Sequence, residues 1–213
     1  MANQFKYYSR SRHPNGFWGK RVIKKMNGPR HAHLPEWVFA DFTIPDKCRI
    51  LDVGCGGGAN IKRMLELNPT ATAIGLDNST LSMNEAIEEN YRNIVDKRCQ
   101  ILGGNATQMP LAKESFDLIT AFETIYFWSS VALGVQEMFR LLKPSGTCLI
   151  ANEMDGTEEF VGNLEKSAAM RIYSIEDIKE YLAYAGFVNI NVRHDEARHF
   201  ICLTATKPEI EGL

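Results

Sequence analysis

The chain has 213 residues, of which 45% are hydrophobic and 23% are charged. This length predicts one domain, and the composition excludes a disordered or fibrous protein. The formal net charge of −2 argues against a general nucleic-acid coat or a strongly cationic membrane binder.

The charge is unevenly distributed along the chain. The first 35 residues hold eight of the 24 Lys and Arg residues and none of the 26 Asp and Glu residues, which gives +8 there and −10 for the remainder. We therefore predict a basic N-terminal arm, residues 1–47, that belongs to the same domain as residues 48–213.

The compartment is predicted from the start of the chain and from its cysteines. The first residues are polar and lack the apolar core of a signal peptide, and no run approaches the roughly 18 apolar residues that span a bilayer. The five cysteines are scattered and contain no Cys-x-x-Cys pair, which favours neither a zinc knuckle nor a disulfide framework. These features predict a protein of the reducing cytoplasm with no membrane partner.

From residue 48 onward, short apolar runs alternate with helical patterns. In chain order the pattern predicts strand 48–53, helix 59–67, strand 71–76, helix 79–95, strands 99–103 and 116–122, helix 129–142 and strand 147–151. A helix over 173–185 follows, with Ser174 as its N-terminal cap and Gly186 after its end. Strands 187–192 and 200–205 then form an antiparallel hairpin.

This alternation predicts an α/β fold with a doubly wound, mostly parallel sheet of seven strands and an antiparallel strand near one edge. Ligands of such sheets bind beyond the carboxyl ends of the strands. Residues 1–47 and 153–172 lie outside the alternation, and we expect them to build a helical lid or a substrate wall at that edge.

The first strand runs into a glycine-rich turn, Asp52-Val53-Gly54-Cys55-Gly56-Gly57-Gly58-Ala59. The Gly-x-Gly-x-x-Ala spacing, with Asp77 downstream, satisfies a loose dinucleotide fingerprint and on its own supports NAD equally well. The carboxylate of Asp52 favours a ligand with an ammonium group instead. No lysine follows the glycines, so the phosphate-binding Walker pattern is absent.

Five short motifs follow one another between residues 48 and 152: DVGCGGG, IGLDN, GNA, FDLITAF and LLKPS. In this order they resemble the motifs of class I S-adenosylmethionine-dependent methyltransferases, and in particular the small-molecule branch that includes the ubiquinone and menaquinone biosynthesis enzymes. The resemblance implies a Rossmann-like methyltransferase fold, S-adenosyl-L-methionine as cofactor and S-adenosyl-L-homocysteine as product.

The resemblance also implies roles for residues around the methionine end of the cofactor. Gly54 and Gly56 would pass the methionine moiety, and the backbone of Cys55 would contribute contacts. Asp52 would orient the ammonium group, and Phe122 would lie near the transferred methyl group.

A second set of residues would bind the adenosine end. Asp77 would accept hydrogen bonds from both ribose hydroxyls, a task suited to a carboxylate. Leu76 and Asn78 would flank the adenine, and Asn105 would bond its exocyclic amine beside the backbone of Ala106.

The acceptor side is predicted at the aromatic stretch 122–128, which follows the fourth strand. Transfer from a sulfonium needs mainly alignment and exclusion of water, with a general base only where the acceptor must lose a proton. Glu123 is the candidate base, and Tyr126 is predicted to orient the acceptor. Glu153 and Asp155 are two acids near a strand end, and we predict no metal site.

The leading hypothesis is methyl transfer to a small-molecule acceptor by a monomer or homodimer. The basic arm, with its interleaved rings, also suits an RNA or protein methyltransferase, and nucleic acid is the less favoured partner. An apolar stripe formed by Phe17, Trp18, Val22, Ile23 and Met26 favours a lid instead. Two further alternatives are a nicotinamide-dependent oxidoreductase and a non-catalytic cofactor-binding protein.

Overall fold

A computed structural model describes residues 23, 28, 32–157 and 170–209 of the chain. Its centre is one seven-stranded sheet, with the strand order β3-β2-β1-β4-β5-β7-β6. The strands are β1 (Arg49–Val53), β2 (Thr72–Asp77), β3 (Cys99–Gly103), β4 (Phe116–Phe122), β5 (Leu142–Asn152), β6 (Val188–Asp195) and β7 (Phe200–Thr206).

The first five strands are parallel, and β7 is inserted antiparallel between β5 and the edge strand β6. This arrangement confirms the predicted mostly parallel sheet with an antiparallel strand near one edge. The central parallel strands β1, β2 and β4 are almost entirely buried, which explains why their sequences are nearly continuous apolar runs.

Helices cover both faces of the sheet. They are α1 (His33–Asp41), α2 (Ala59–Leu67), α3 (Thr80–Glu89), α4 (Tyr91–Val95), α5 (Val131–Leu141) and α6 (Ile175–Ala185). The buried residues of α1, α2 and α3 belong to the core on one face, and those of α5 and α6 belong to the core on the other. A single 3-10 turn, Ile125–Phe127, follows β4.

The prediction of one unbroken helix over 79–95 was wrong, because Asn90 interrupts it. Asn90 is 1% exposed, and its side-chain amide donates to the carbonyl oxygens of Gly58 (2.9 Å) and Ala86 (3.2 Å). An asparagine that bonds backbone carbonyls in this way competes with helix continuation. The interruption also ties the end of α3 to the glycine-rich turn.

The other elements differ from the prediction mainly at their ends. Strand β5 begins at Leu142 rather than at residue 147, because Leu142 pairs with Phe116 and a register irregularity follows. Helix α6 begins at Ile175, and Ser174 forms a capping box with Asp177. The predicted cap is therefore confirmed, and the helix start lies two residues later than predicted.

The last part of the basic arm packs on the sheet. Leu34 and Val38 of α1 are buried, and the Trp37 ring meets Phe200 of β7 edge-on with 5.9 Å between centroids. The Arg193 guanidinium lies 4.2 Å from the Trp37 ring centroid and donates to the Trp37 carbonyl. Of the predicted stripe, only Ile23 is among the described residues, and 158–169 of the predicted wall lie outside them.

None of the described helices is both long enough and apolar enough to cross a membrane.

Candidate functional site

The glycine-rich turn is held against the end of β2. The backbone amides of Gly54 and Cys55 both donate to the Leu76 carbonyl, at 2.7 and 3.0 Å. Gly54 has φ of +75°, and a side chain on it would collide with the Thr124 hydroxyl. Glycine is therefore required both by the backbone conformation and by the close approach of the segment after β4.

Asp77 connects the turn to the start of α3. Its Oδ2 accepts from the Gly56 amide (2.9 Å), and its Oδ1 accepts from the Ser79 amide (2.8 Å). Two backbone donors thus fix the carboxylate at the carboxyl end of β2, the position that the sequence predicts.

A cavity of about 280 Å³ opens beyond the carboxyl ends of β1, β2 and β4. Nine of the predicted site residues line it: Gly54, Gly56, Leu76, Asp77, Asn78, Asn105, Ala106, Phe122 and Glu123. Residues that the sequence did not single out as site residues also line it, namely Ile23, Gly57, Ser82, Gly104, Thr124, Phe127, Trp128 and Ser129.

Two of these additional residues are linked to each other. The Trp128 indole nitrogen donates to the Thr124 hydroxyl at 3.2 Å, beside Gly54. The aromatic stretch indicated that this region matters, but sequence alone gave no signal for Thr124. Its importance comes from the contact with a turn that lies some 70 residues earlier.

Asp52 and Cys55 line a second, smaller cavity of about 80 Å³. The two cavities adjoin at the glycine-rich turn and at the end of β4, where they share Gly54, Gly56, Gly57, Phe122 and Glu123. Burial also raises the pKa of the Cys55 thiol well above its ordinary value, which makes the thiol a poor nucleophile at neutral pH.

The carboxyl group of Asp52 is almost fully enclosed. Asp52 is 2% exposed, and its Oδ1 accepts a hydrogen bond of 2.7 Å from the buried Thr120 hydroxyl. Burial raises the pKa of Asp52 to about 7, partly opposed by the Thr120 bond and assisted by the charge of Asp77. A positively charged ligand beside this group would reverse the shift.

Glu123 lines both cavities. It has φ of +58°, a conformation that is strained for a residue with a side chain. Its Oε1 accepts hydrogen bonds from the Tyr126 hydroxyl (3.1 Å) and from the Glu153 amide. The strained backbone and the two donors hold this carboxylate in one place.

Tyr126 itself lies behind Glu123. It is 2% exposed and lines neither cavity, and its hydroxyl accepts from the Met154 amide (3.2 Å) while donating to Glu123. The hydroxyl therefore supports the carboxylate, and the predicted role of Tyr126 in orienting an acceptor stays a prediction.

Asn105 lines the large cavity, but its side chain also closes a turn. Its Oδ1 accepts from the amide and the hydroxyl of Thr107, both at 3.0 Å. The predicted bond to an adenine amine would share this oxygen, and it stays a prediction.

A further carboxylate at this edge of the sheet, Asp155, is 4% exposed. Asp155 accepts from the amide (2.9 Å) and hydroxyl (2.6 Å) of Thr157. Imidazole nitrogens of His194 and His199 lie 2.8 and 3.2 Å from its Oδ2. In residues 32–157 and 170–209, no group of three or more His, Cys, Asp or Glu side chains is arranged to hold a metal ion.

Comparison with known proteins identifies the family. A family model described as a methyltransferase domain matches residues 44–190, well over half of the chain. A methyltransferase structure from Aquifex aeolicus, described as SAM dependent, has a TM-score of 0.73 and 21% identity, covering 88% of this chain and 97% of that one. This likeness shows the fold. The chain belongs to the class I S-adenosylmethionine-dependent methyltransferases, which confirms the family predicted from the sequence.

Two curated relatives illustrate the similarity in sequence. The cycloartenol-C-24-methyltransferase of Arabidopsis thaliana is 30% identical over 131 residues, covering 62% of this chain and 38% of the relative. The demethylmenaquinone methyltransferase of a Roseiflexus species is 31% identical over 115 residues, covering 53% of this chain and 47% of the relative. The matched part of this chain thus spans less than half the length of either relative.

Proposed function

We propose that the protein transfers the methyl group of S-adenosyl-L-methionine to a small-molecule acceptor and releases S-adenosyl-L-homocysteine. The observation that carries the proposal is the pair of carboxylates, Asp77 on the large cavity and Asp52 on the small one, on either side of the glycine-rich turn. A cofactor that offers hydroxyl and ammonium groups but no phosphate matches this pair.

The adenosine end of the cofactor would occupy the large cavity. Asp77 would accept from the ribose hydroxyls, with Leu76 and Asn78 beside the adenine and Asn105 and Ala106 at its far edge. The methionine end would pass Gly54 and Gly56 and bring its ammonium group toward Asp52. The sulfonium would then lie at the wall that the two cavities share, near Phe122.

Transfer would take place at this shared wall. A lone pair of the acceptor attacks the methyl carbon, the carbon–sulfur bond breaks, and its electron pair stays on sulfur. Where the acceptor must lose a proton, Glu123 would take it. Tyr126 and the Glu153 amide would keep that carboxylate in position. The two relatives described above are named for cycloartenol and demethylmenaquinone, which supports a small molecule as acceptor.

We also propose that the basic arm closes over the cofactor as a lid. Ile23 is in a helix, is 2% exposed and lines the large cavity, so one residue of the predicted apolar stripe lies where a lid would touch the ligand.

The five cysteines are all free and buried, which supports the reducing cytoplasm as the compartment.

An RNA or protein acceptor is the second candidate, favoured by the eight cations of the first 35 residues. Gel shifts with tRNA over a range of salt concentrations separate the two. Binding that weakens steeply with salt supports the second candidate, and no binding at low salt contradicts an RNA acceptor.

A thermal-shift panel tests the cofactor. We expect S-adenosylmethionine and S-adenosylhomocysteine to raise the melting temperature, and NAD and ATP to leave it unchanged. Stabilisation by NAD alone would support the oxidoreductase alternative and contradict the proposal. Acceptor screens that follow formation of S-adenosylhomocysteine then separate an enzyme from a non-catalytic cofactor-binding protein.

A further inference from the structure

Asp52 is a buried carboxyl group with little compensation from its surroundings. The element that carries it, β1, is flanked by β2 and β4. Within the described residues, β4 supplies one neutral donor, the Thr120 hydroxyl, and β2 supplies another acid, Asp77.

The walls of the small cavity add further titratable groups. Glu123 and Glu153 line it together with Asp52, and the Cys55 thiol comes from the glycine-rich turn. Among the described residues that line this cavity, Arg63 of α2 is the cation. No ion pair joins Arg63 to Asp52, within the part of the chain that the structure describes. The Arg63 guanidinium instead donates to Asn60 at 2.9 Å.

These surroundings disfavour a negative charge on Asp52 in the ligand-free protein. Moving a carboxylate out of water without a cationic partner is costly, so the protonated form persists to a higher pH than in a solvent-exposed aspartate. An ammonium group placed beside the carboxyl would supply the missing countercharge. The ligand that brings this group would therefore select the ionised form.

We propose that binding of the methionine end of the cofactor displaces the proton of Asp52, so that cofactor binding releases close to one proton to solvent below neutral pH. This inference rests on the proposed function, because it requires the ammonium group of the ligand to approach Asp52. It makes cofactor affinity a function of pH through one buried carboxyl group.

The size of the effect follows from linkage. If only the ionised form binds, the apparent affinity falls in proportion to the ionised fraction. For a group that titrates at about 7, affinity for S-adenosylhomocysteine rises about tenfold between pH 6 and pH 8. Above pH 8 Asp52 is almost fully ionised, and its titration no longer changes the affinity.

Isothermal titration calorimetry measures the released proton directly. S-adenosylhomocysteine is titrated at pH 6.5 into the full chain in phosphate and in imidazole, two buffers with different enthalpies of ionisation. Each observed enthalpy contains the buffer's ionisation enthalpy multiplied by the number of protons released. We therefore expect the two observed enthalpies to differ by the difference between the two ionisation enthalpies, multiplied by a number of protons slightly below one. Equal enthalpies in the two buffers, with normal binding, would overturn the inference and leave the proposed function intact.

Two controls assign the proton to Asp52. 5′-Methylthioadenosine has the adenosine but lacks the ammonium group, so it should bind with no dependence on the buffer. Asp52→Asn should still bind S-adenosylhomocysteine, more weakly, and lose the buffer dependence, whereas Asp155→Asn should retain it. Proton release that persists in Asp52→Asn, or that accompanies 5′-methylthioadenosine, would contradict the assignment.

A spectroscopic measurement covers the case in which Asp52→Asn does not fold. Infrared difference spectra of the wild-type protein should lose a protonated-carboxyl band when S-adenosylhomocysteine is added at pH 6.5. An unchanged band, with saturated binding, would contradict proton displacement. Absence of S-adenosylhomocysteine binding at every pH would instead contradict the proposed function itself.

Discussion

Asp52 and Asp155 lie at the same edge of the sheet and are both almost fully buried, yet their surroundings are opposite. Within the described residues, Asp52, near the end of β1, accepts one hydrogen bond, from a neutral hydroxyl, and lines a cavity. Asp155, just after β5, is bonded by Thr157 and approached by His194 and His199.

This difference appears in the acidity of the two groups. Burial raises the pKa of Asp52 to about 7, because one neutral donor does not offset the lost hydration. Burial also acts to raise the pKa of Asp155, but the bonds from Thr157 and the two histidines outweigh it and hold the pKa well below its ordinary value.

The comparison distinguishes a ligand site from a structural anchor. A buried carboxyl that the protein leaves poorly compensated costs stability, and such groups persist where a ligand completes them. A buried carboxylate surrounded by donors stabilises the fold instead. On this basis we infer that Asp155 anchors the segment whose Glu153 and Met154 amides support Glu123 and Tyr126, and we propose that Asp52 binds the cofactor.

The largest expected effect is on the anchor. Asp155→Ala should lower the free energy of unfolding at pH 7 by about 3 kcal/mol, because Thr157 and two imidazoles lose their acceptor. A lowered folded pKa contributes stability above the ordinary value of 3.8, and this contribution is lost as the pH falls below it. Denaturant unfolding at several pH values should therefore show the penalty shrinking below about pH 4. An equal loss of unfolding free energy in Asp155→Ala at pH 7 and pH 3 would contradict the lowered pKa of Asp155.

Asp52→Asn should raise the free energy of unfolding at high pH, whereas Asp155→Ala lowers it. Because the folded pKa is raised from 3.8 to about 7, the folded state binds the extra proton between these values, and stability falls as the pH rises through this window. The full penalty is present above pH 7. The rise from 3.8 to about 7 corresponds to a penalty of about 4 kcal/mol, at about 1.4 kcal/mol for each tenfold change in the ionisation equilibrium. We expect Asp52→Asn to recover about 2 kcal/mol of this penalty at pH 8, because the buried amide group that replaces the carboxylate leaves polar hydrogens without acceptors. Asp46→Asn, at an exposed position, serves as the matched control. A loss of stability at pH 8 in Asp52→Asn would contradict the claim that ionised Asp52 destabilises the ligand-free protein.

Glu123 extends the comparison to a third carboxylate. Its backbone is strained, and two hydrogen-bond donors hold its side chain in place. Glu123→Gln should lower turnover at least about tenfold, as expected for loss of a general base, and leave the dissociation constant of S-adenosylhomocysteine within about twofold. Tyr126→Phe should have a smaller effect, because the Glu153 amide remains. Steady-state kinetics with an acceptor from the screen provide the measurement. Unchanged turnover in Glu123→Gln would exclude the role of base.

The smallest expected effect concerns Ile23 at the large cavity, with Val38 as its control. Ile23→Ala should weaken S-adenosylhomocysteine binding about fivefold through lost apolar contact in the large cavity. Val38→Ala, on α1 and fully buried against the sheet, should lower stability and leave affinity unchanged. If the two variants weaken binding equally, Ile23 has no particular part in covering the ligand.

The sequence predicted those parts of the site that depend on local spacing. The turn from Gly54 to Gly58 and the carboxylate at the end of β2 follow from motifs that are contiguous in the chain. The sequence assigned Asp52 and Asp77 to opposite ends of one ligand. It did not show that they line two different cavities, because that depends on the path of the turn between them.

Features built by distant residues were not predictable in the same way. His194 and His199 are 39 and 44 residues from Asp155 along the chain. They meet it only because β7 is inserted antiparallel between β5 and β6. Likewise, Asn90 reads as an ordinary helical position until its contact with Gly58 is known. These contacts depend on long-range pairing of strands and turns, which the local sequence pattern does not show.

Calorimetric titration of S-adenosylhomocysteine at pH 8 into wild-type protein and Asp77→Ala tests most directly that this cavity binds the cofactor. We predict one molecule bound per wild-type chain, and affinity at least about 30-fold lower in the variant, since two charge-assisted hydrogen bonds to ribose are lost. Asp117→Ala, at the opposite end of β4, should bind like the wild type. Equal affinity in wild type and Asp77→Ala, or no binding to the wild type, would contradict binding of the cofactor in this cavity.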